Sequence, residues 1–330
     1  MTKSVCMAVA AAMSLGMHVS VAATDGFFWN TDSSVTRNAS NEAYWENRTV
    51  PGNGGIASFA ASPTSLTLNN DISGWTLGGL TLNGFSGVVK GNPITLTGDA
   101  VVSGDGEAKF LCTIRAAQGA SLKKLGTGSV LLTAPLTVFS PVETVLGTLI
   151  ATNMDGTVFS TTGMTLSGGT LRWAPSGAAG SATAAIGGES LALRGNVELD
   201  IEHGSTSSAT LTVPTLDLSE RAPVLKILAS GGSASLGAAD KVKVSGTAPA
   251  VVNGTVDPRI VTRGSETGRP ITLLTYDATD GFKPVEVTGT VTDTDAATKP
   301  VKITSDTTLP ANAAVGALVV QGAPTVTGLQ

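Results

Sequence analysis

If residues 1–23 are removed as a leader, one histidine, His203, and one cysteine, Cys112, remain to do chemistry. A zinc site of the usual His and Cys ligand sets cannot be assembled from one of each. A Ser-His-Asp triad would need His203 itself, with Asp200 or Glu202 and a distant serine, and no Gly-x-Ser-x-Gly elbow supplies that serine. We read His203, in Ile201-Glu202-His203-Gly204, as a surface residue at a strand end. Asp200 and Glu202 lie two apart on one strand, roughly 6.5–7 Å from each other, a separation that would suit paired-carboxylate glycoside chemistry. Glu198, Asp200 and Glu202 alternate with Val197, Leu199 and Ile201, however, and that alternation is expected of a solvated strand face. Asp293-x-Asp295 lacks the glycine and distal glutamate of a calcium loop, and Asp277 and Asp280 read as turn formers. Gly126-Thr127-Gly128 lacks the further glycine or Gly-Lys-Ser ending of a phosphate loop. No catalytic, cofactor-binding or metal-binding residue is assigned, and no enzymatic activity is expected.

The elements that would position any site are strands. Of the 330 residues, 42% are hydrophobic, 14% charged and 4% aromatic, and 40 are glycine. The core must therefore be aliphatic, and the Gly content disfavours helices while suiting short strands joined by tight turns. Residues 1–23 form a secretory leader. Lys3 is its charged start, Val5–Met13 its apolar stretch, and Val21-Ala22-Ala23 precedes Thr24, which places cleavage between Ala23 and Thr24. The apolar stretch is too short to span a bilayer. Without Lys3 the chain carries 19 basic residues (20 minus 1) against 25 acidic ones, dispersed, which argues against nucleic acid as a partner. Cys112, in Phe110-Leu111-Cys112-Thr113-Ile114, reads as a small buried residue of a strand.

Residues 24–60 hold six of the fourteen aromatics and read as an N-terminal cap whose rings pack together; a sugar-stacking platform of Trp29, Tyr44, Trp45 and Trp75 is the sharper alternative. From residue 61 onward, period-two runs recur: Leu66-Thr67-Leu68, Leu80-Thr81-Leu82, Ile94-Thr95-Leu96, Met164-Thr165-Leu166 and Val197–Ile201. The first three begin 14 residues apart. Very short strands, Gly-rich turns and small branched side chains favour a stacked solenoid over a β-sandwich. The division expected is 1–23 leader, 24–60 cap, 61–252 β-helix, and 253–330 a loop-interrupted continuation that stops in mid-pattern. Lys241-Val242-Lys243-Val244 and Ala250-Val251-Val252 look strand-like.

The stretch Lys124-Leu125-Gly126-Thr127-Gly128, followed by Gly147-Thr148-Leu149, resembles the autotransporter-associated β-strand repeat of exported bacterial passenger regions. In that repeat a Lys-x-Gly-x-Gly turn enters a strand and a Gly-Thr-Leu strand closes the unit. The intervening Ala134–Pro141 departs from it, and Gly168-Gly169-Thr170-Leu171 is a looser echo. Trp29, Trp45 and Val50–Phe59 are similar to the usual passenger opening, and Leu274–Phe282 to a segment of longer members. The resemblance implies an all-β, right-handed parallel β-helix, exported by the Sec pathway to the cell surface or medium. The function it implies is non-catalytic display, adhesion or self-association. Expected partners are surface glycans, host or neighbouring-cell proteins, further copies, and an outer-membrane translocator if the chain is a fragment. The alternative function is a polysaccharide-binding or polysaccharide-degrading β-helix.

Overall fold

A computed structural model describes residues 24–28, 36–61, 66–133, 141–159, 162–176, 180–202, 207–220, 223–231, 235–263, 271–287, 289–292, 296–309, 314–321 and 324–327. Residues 1–23, with Ala23 of the expected cleavage point, and also Trp29, His203, Asp293 and Asp295, lie outside the described residues. The protein is all-β, built on parallel sheets of many strands. A first sheet holds nine strands, from Gly26–Phe28 through Ile56–Phe59, Gly79–Asn83, Ala100–Ser103, Leu122–Lys124, Val142–Thr144, Met164–Leu166 and Ser190–Leu193 to Thr215–Asp217. A second holds twelve, from Thr36–Asn38 to Gly281–Pro284. Third-face strands form a three-stranded sheet around Ile94–Leu96 and a four-stranded sheet ending at Asp240–Val244. Through most of the chain, strands of the first, second and third faces follow one another in that order. Long parallel ladders of this kind are foreign to the antiparallel sandwich that was the alternative architecture.

Register turns the period-two runs into columns. On the first sheet Ala57, Leu80, Ala100, Leu122, Val142, Met164, Leu191 and Leu216 are successive partners. On the second, Leu68, Val89, Phe110, Leu132, Ala151, Trp173 and Ile201 stand in one line. All of these except Leu216 are buried, while the residues between them, mostly Thr, Ser and charged, face outward. Each fully buried Leu or Ile contributes about 1.5–3 kcal/mol, so the inner columns are the main source of stability. The 14-residue spacing seen in the sequence is not the repeat of the stack. Leu66 leads into the second sheet, Leu80 lies on the first and Ile94 on the third, so that spacing separates neighbouring faces. Cross-rung hydrogen bonds instead join residues 20, 22 or 24 apart early in the chain and 28 or 30 apart later.

Phe28 and Phe59 head an inner column of the first sheet, and Trp45 packs edge-on to both, at 5.2 and 5.7 Å between ring centroids. The Trp45 indole N–H donates to Ala39 O at 2.8 Å and that of Trp75 to Pro51 O at 3.0 Å. The aromatic-rich segment thus packs its rings against the first rungs.

Toward the C-terminus the pattern changes. Ile260–Arg263 is the last parallel addition to the second sheet; Ile271–Asp277 and Gly281–Pro284 then add antiparallel, as a hairpin. The hairpin also closes the third face, where Tyr276 Oη accepts the N–H of Val244 at 3.0 Å. Lys241 pairs with Asp280 at 2.9 Å, and Lys283 bonds Asp277. Asp277 is indeed a turn former: its Oδ1 accepts the N–H groups of Thr279 and Asp280 at 2.9 and 2.8 Å. Two sequence expectations are corrected. Ala250–Val252 is not a strand; it carries only a bridge from Val252 to Thr255. Cys112 sits between strands, after Phe110 and before Ile114, because the chain turns there from the second face to the third.

Tyr276→Phe removes the acceptor for Val244 N–H. We expect a stability loss of about 1 kcal/mol and faster amide exchange at Val244 with the first-sheet amides unchanged, read by denaturant titration and hydrogen-exchange mass spectrometry.

Candidate functional site

Lys124 ends a first-sheet strand, and its register partners are Val102 on one side and Thr144 on the other. The same column continues through Leu82 and Leu166, so the lysine side chain enters the interior, where it is 1% exposed. Its ammonium donates to the carbonyl oxygens of Gly126 and Leu146, the latter at 3.3 Å. One rung later Thr144, also buried, donates its hydroxyl to Gly168 O at 3.2 Å. The two polar side chains do one job: they reach the corner between the first and second sheets and satisfy turn carbonyls there. Desolvation pushes the Lys124 pKa down to about 8.

The glycines of the motif are required by the same corner. A Cβ on Gly126 would lie 2.0 Å from Gly104 O, and one on Gly128 1.9 Å from Gly106 O. Gly147 has φ +74° and would place a Cβ 2.2 Å from Gly128 O. Thr148 faces outward, partly exposed, between Ser129 and Thr170; Leu149 faces inward, fully buried between Val130 and Leu171. The structure therefore brings Lys124, Gly126, Gly128 and Gly147 together at one corner, with Thr148 and Leu149 opening the next second-sheet strand. The sequence shows the motif but not the burial of its lysine, since a Lys-Lys pair usually marks a surface. Thr24, the other residue at the expected cleavage point, is exposed; Gly52 N–H donates to its carbonyl at 3.2 Å.

The acidic strand departs from the solvated face expected of it. Asp200 is 1% exposed, and it shares the outward side of Asn196–Glu202 with Glu198 and Glu202. Its Oδ2 accepts from Arg172 Nε at 2.9 Å and Ser230 Oγ at 3.0 Å, while Oδ1 has no hydrogen-bond partner among the described residues. Desolvation raises its pKa, opposed by the bonds from Ser230 and Arg172. Glu198 pairs with Lys226 at 3.0 Å, and Glu202 lies 3.5 Å from Arg172. Each carboxylate of the strand thus faces a cation from a neighbouring strand, with Asp200 and Glu202 sharing Arg172, the ordinary use of cross-strand charge pairs.

Trp45, Trp75 and Trp173 are at most 3% exposed and form no platform for a sugar; Tyr44 is half-buried, with the Arg37 guanidinium 4.8 Å from its ring centroid. Burial pushes the Cys112 thiol up to about 11, so it is a thiol at neutral pH. Among the described residues no group of three His, Cys, Asp or Glu could hold a metal, and no helix is long and apolar enough to cross a membrane. Sequence reasoning missed a cavity of about 540 Å³ between the last first-sheet strand, residues 247–260 and Gly316–Ala317. Its walls come from segments distant in the chain, so no local pattern marks it. No family model, no curated protein and no solved structure matches this chain.

Two outcomes follow for the corner. The unfolded chain keeps the Lys124 proton up to about pH 10.5, whereas the folded chain releases it at about 8. Between those values the unfolded state binds more protons, so stability rises with pH, by up to about 3 kcal/mol from this group. Chemical denaturation across pH 8–10.5 should show that rise, and Lys124→Met should flatten it. Gly128→Ala forces a Cβ onto Gly106 O and should lower stability by about 2–3 kcal/mol in the same assay.

Proposed function

We propose that this protein is an exported, non-catalytic right-handed parallel β-helix of the autotransporter passenger kind, a rigid rod for display, adhesion or self-association at the cell surface. The observation that carries the proposal is the in-register continuity of the parallel columns from Ala57 to Leu216 on one face and from Leu68 to Ile201 on another. A stack in which each rung pairs with the next lengthens along one axis without enlarging its cross-section, which suits projection from a surface. The Lys124 corner supports the resemblance to the passenger repeat, because the residues that carry the motif also hold the turn together. The charge pairing along Glu198–Glu202 supports a structural role for the residues nearest to a catalytic arrangement. In this proposal residues 1–23 direct Sec export, 24–60 cap the rod, 61–252 form it, and 253–330 continue it with loop interruptions. Partners are surface glycans, proteins of host or neighbouring cells, or further copies.

Expression of the full chain in a Gram-negative host should give a product cleaved between Ala23 and Thr24, identified by intact mass, and present outside the cytoplasm. Retention of an uncleaved chain in the cytoplasm would reject the export half of the proposal. Turnover of bacterial polysaccharides by the purified chain, abolished by Asp200→Asn with the fold intact, would reject the non-catalytic half.

A further inference from the structure

The three faces do not end alike. The second continues into the hairpin of Ile271–Pro284, and the third is closed by Tyr276 and the Lys241–Asp280 pair. The first ends at Thr215–Asp217, and among the described residues no strand pairs on its far side. Leu80, Ala100, Leu122 and Val142, which precede Leu216 in its column, each donate their N–H to a carbonyl of the next rung: Asp99, Ser121, Pro141 and Gly163, at 2.8–3.4 Å. By that periodicity the N–H of Leu216 points away from Ser190–Leu193, toward the missing rung. Its side chain is half-buried, where its predecessors in the column are buried. The chain approaches this edge and turns aside: Thr247 N–H bonds Thr215 Oγ1 at 3.0 Å, and Gly246 is held against the same side chain.

The cavity of about 540 Å³ borders Thr215 and Leu216 of this edge, with residues 247–260 and Gly316–Ala317 as its other walls, and is within the range of ligand sites of ~300–1,000 Å³. Its walls include Leu216, Leu218, Pro249, Val256 and Ile260. The carboxylate in its lining, Asp257, is bound by Arg259 at 2.7 Å, and Arg259 also donates to Leu218 O at 3.0 Å. The site therefore offers a strand edge, an apolar groove beside it, and no unmatched charge from that ion pair.

We propose that this edge is a peptide-binding site that takes an extended, uncharged segment of a partner protein as an added strand of the first sheet. Backbone bonds to Leu216 supply the alignment, and a small or branched apolar side chain fills the groove, the mode by which open sheet edges bind peptides. A flat or globular ligand would leave the edge N–H unpaired. A charged segment would bring an unmatched charge into an apolar cavity. The inference rests on the edge and the cavity and is independent of export or display.

The test is fluorescence anisotropy of a labelled pentapeptide, Gly-Met-Thr-Leu-Ser, which copies Gly163–Ser167 of the same face, titrated with the full chain. Saturable binding is expected, together with slowed amide exchange of Leu216 in the presence of the peptide. Leu216→Pro deletes the outward N–H, a change tolerated on an edge strand, and Ala248→Trp fills the groove. Each should weaken binding at least tenfold while far-UV circular dichroism stays as in the parent; Leu216→Pro also lowers the melting temperature through lost packing of the half-buried side chain, whereas Ala248→Trp leaves it unchanged. Unchanged binding in both variants would overturn the proposal. So would failure of the peptide to bind, whether Leu216 is protected in a monomer at all concentrations or becomes protected only as copies associate.

Discussion

Backbone hydrogen bonding from each rung to the next, held in register over many strands, is the constraint on which the rest of this molecule depends. It fixes which side chains stand above one another, and so converts a loose alternation of Leu, Val and Ala into continuous apolar columns. It also brings turn backbones into contact at the corners. Where Gly126 and Gly128 lie against Gly104 and Gly106 there is no room for a side chain, so glycine there is a packing requirement as much as a conformational one.

Polar groups inside such a stack must find partners along its axis. Lys124 solves this by reaching two carbonyls of the corner, and Thr144 by reaching a third. A lysine with its charge desolvated is a costly way to bond two carbonyls, and the depressed pKa records that cost. Asp200 meets the same problem on the outer side of the second sheet, using Arg172 from the rung before and Ser230 from the rung after. Gly126 is only two residues from Lys124, but Leu146, Arg172 and Ser230 each lie about one rung away in sequence from the group they bond, which is why local inspection of the chain does not pair them.

A stack also has ends, and their treatment differs. Aromatic rings cover the first rungs, where large flat side chains such as Trp45 and Phe59 can fill an area no aliphatic column would. At the other end an antiparallel hairpin turns the second and third faces away from further parallel growth, a common way to blunt a sheet edge. The first face lacks that treatment, and the contrast is the reason its edge reads as a binding surface.

The amino-acid pattern by itself determined that the chain is all-β, that its strands are short and alternate in polarity, and that six of the fourteen aromatics gather in residues 24–60. It also located the Lys124–Gly128 and Gly147–Leu149 segments that become a single corner. These are legible because strand alternation and turn chemistry act over a few residues. Only the tertiary structure decided the rung length, the burial of Lys124 and Asp200, the break between Phe110 and Ile114 around Cys112, and the groove beside Leu216. Each depends on which residue lies one rung away, some 20 to 30 positions along the chain, and that register is set by the sum of many weak column contacts acting together, with no local signal to mark it.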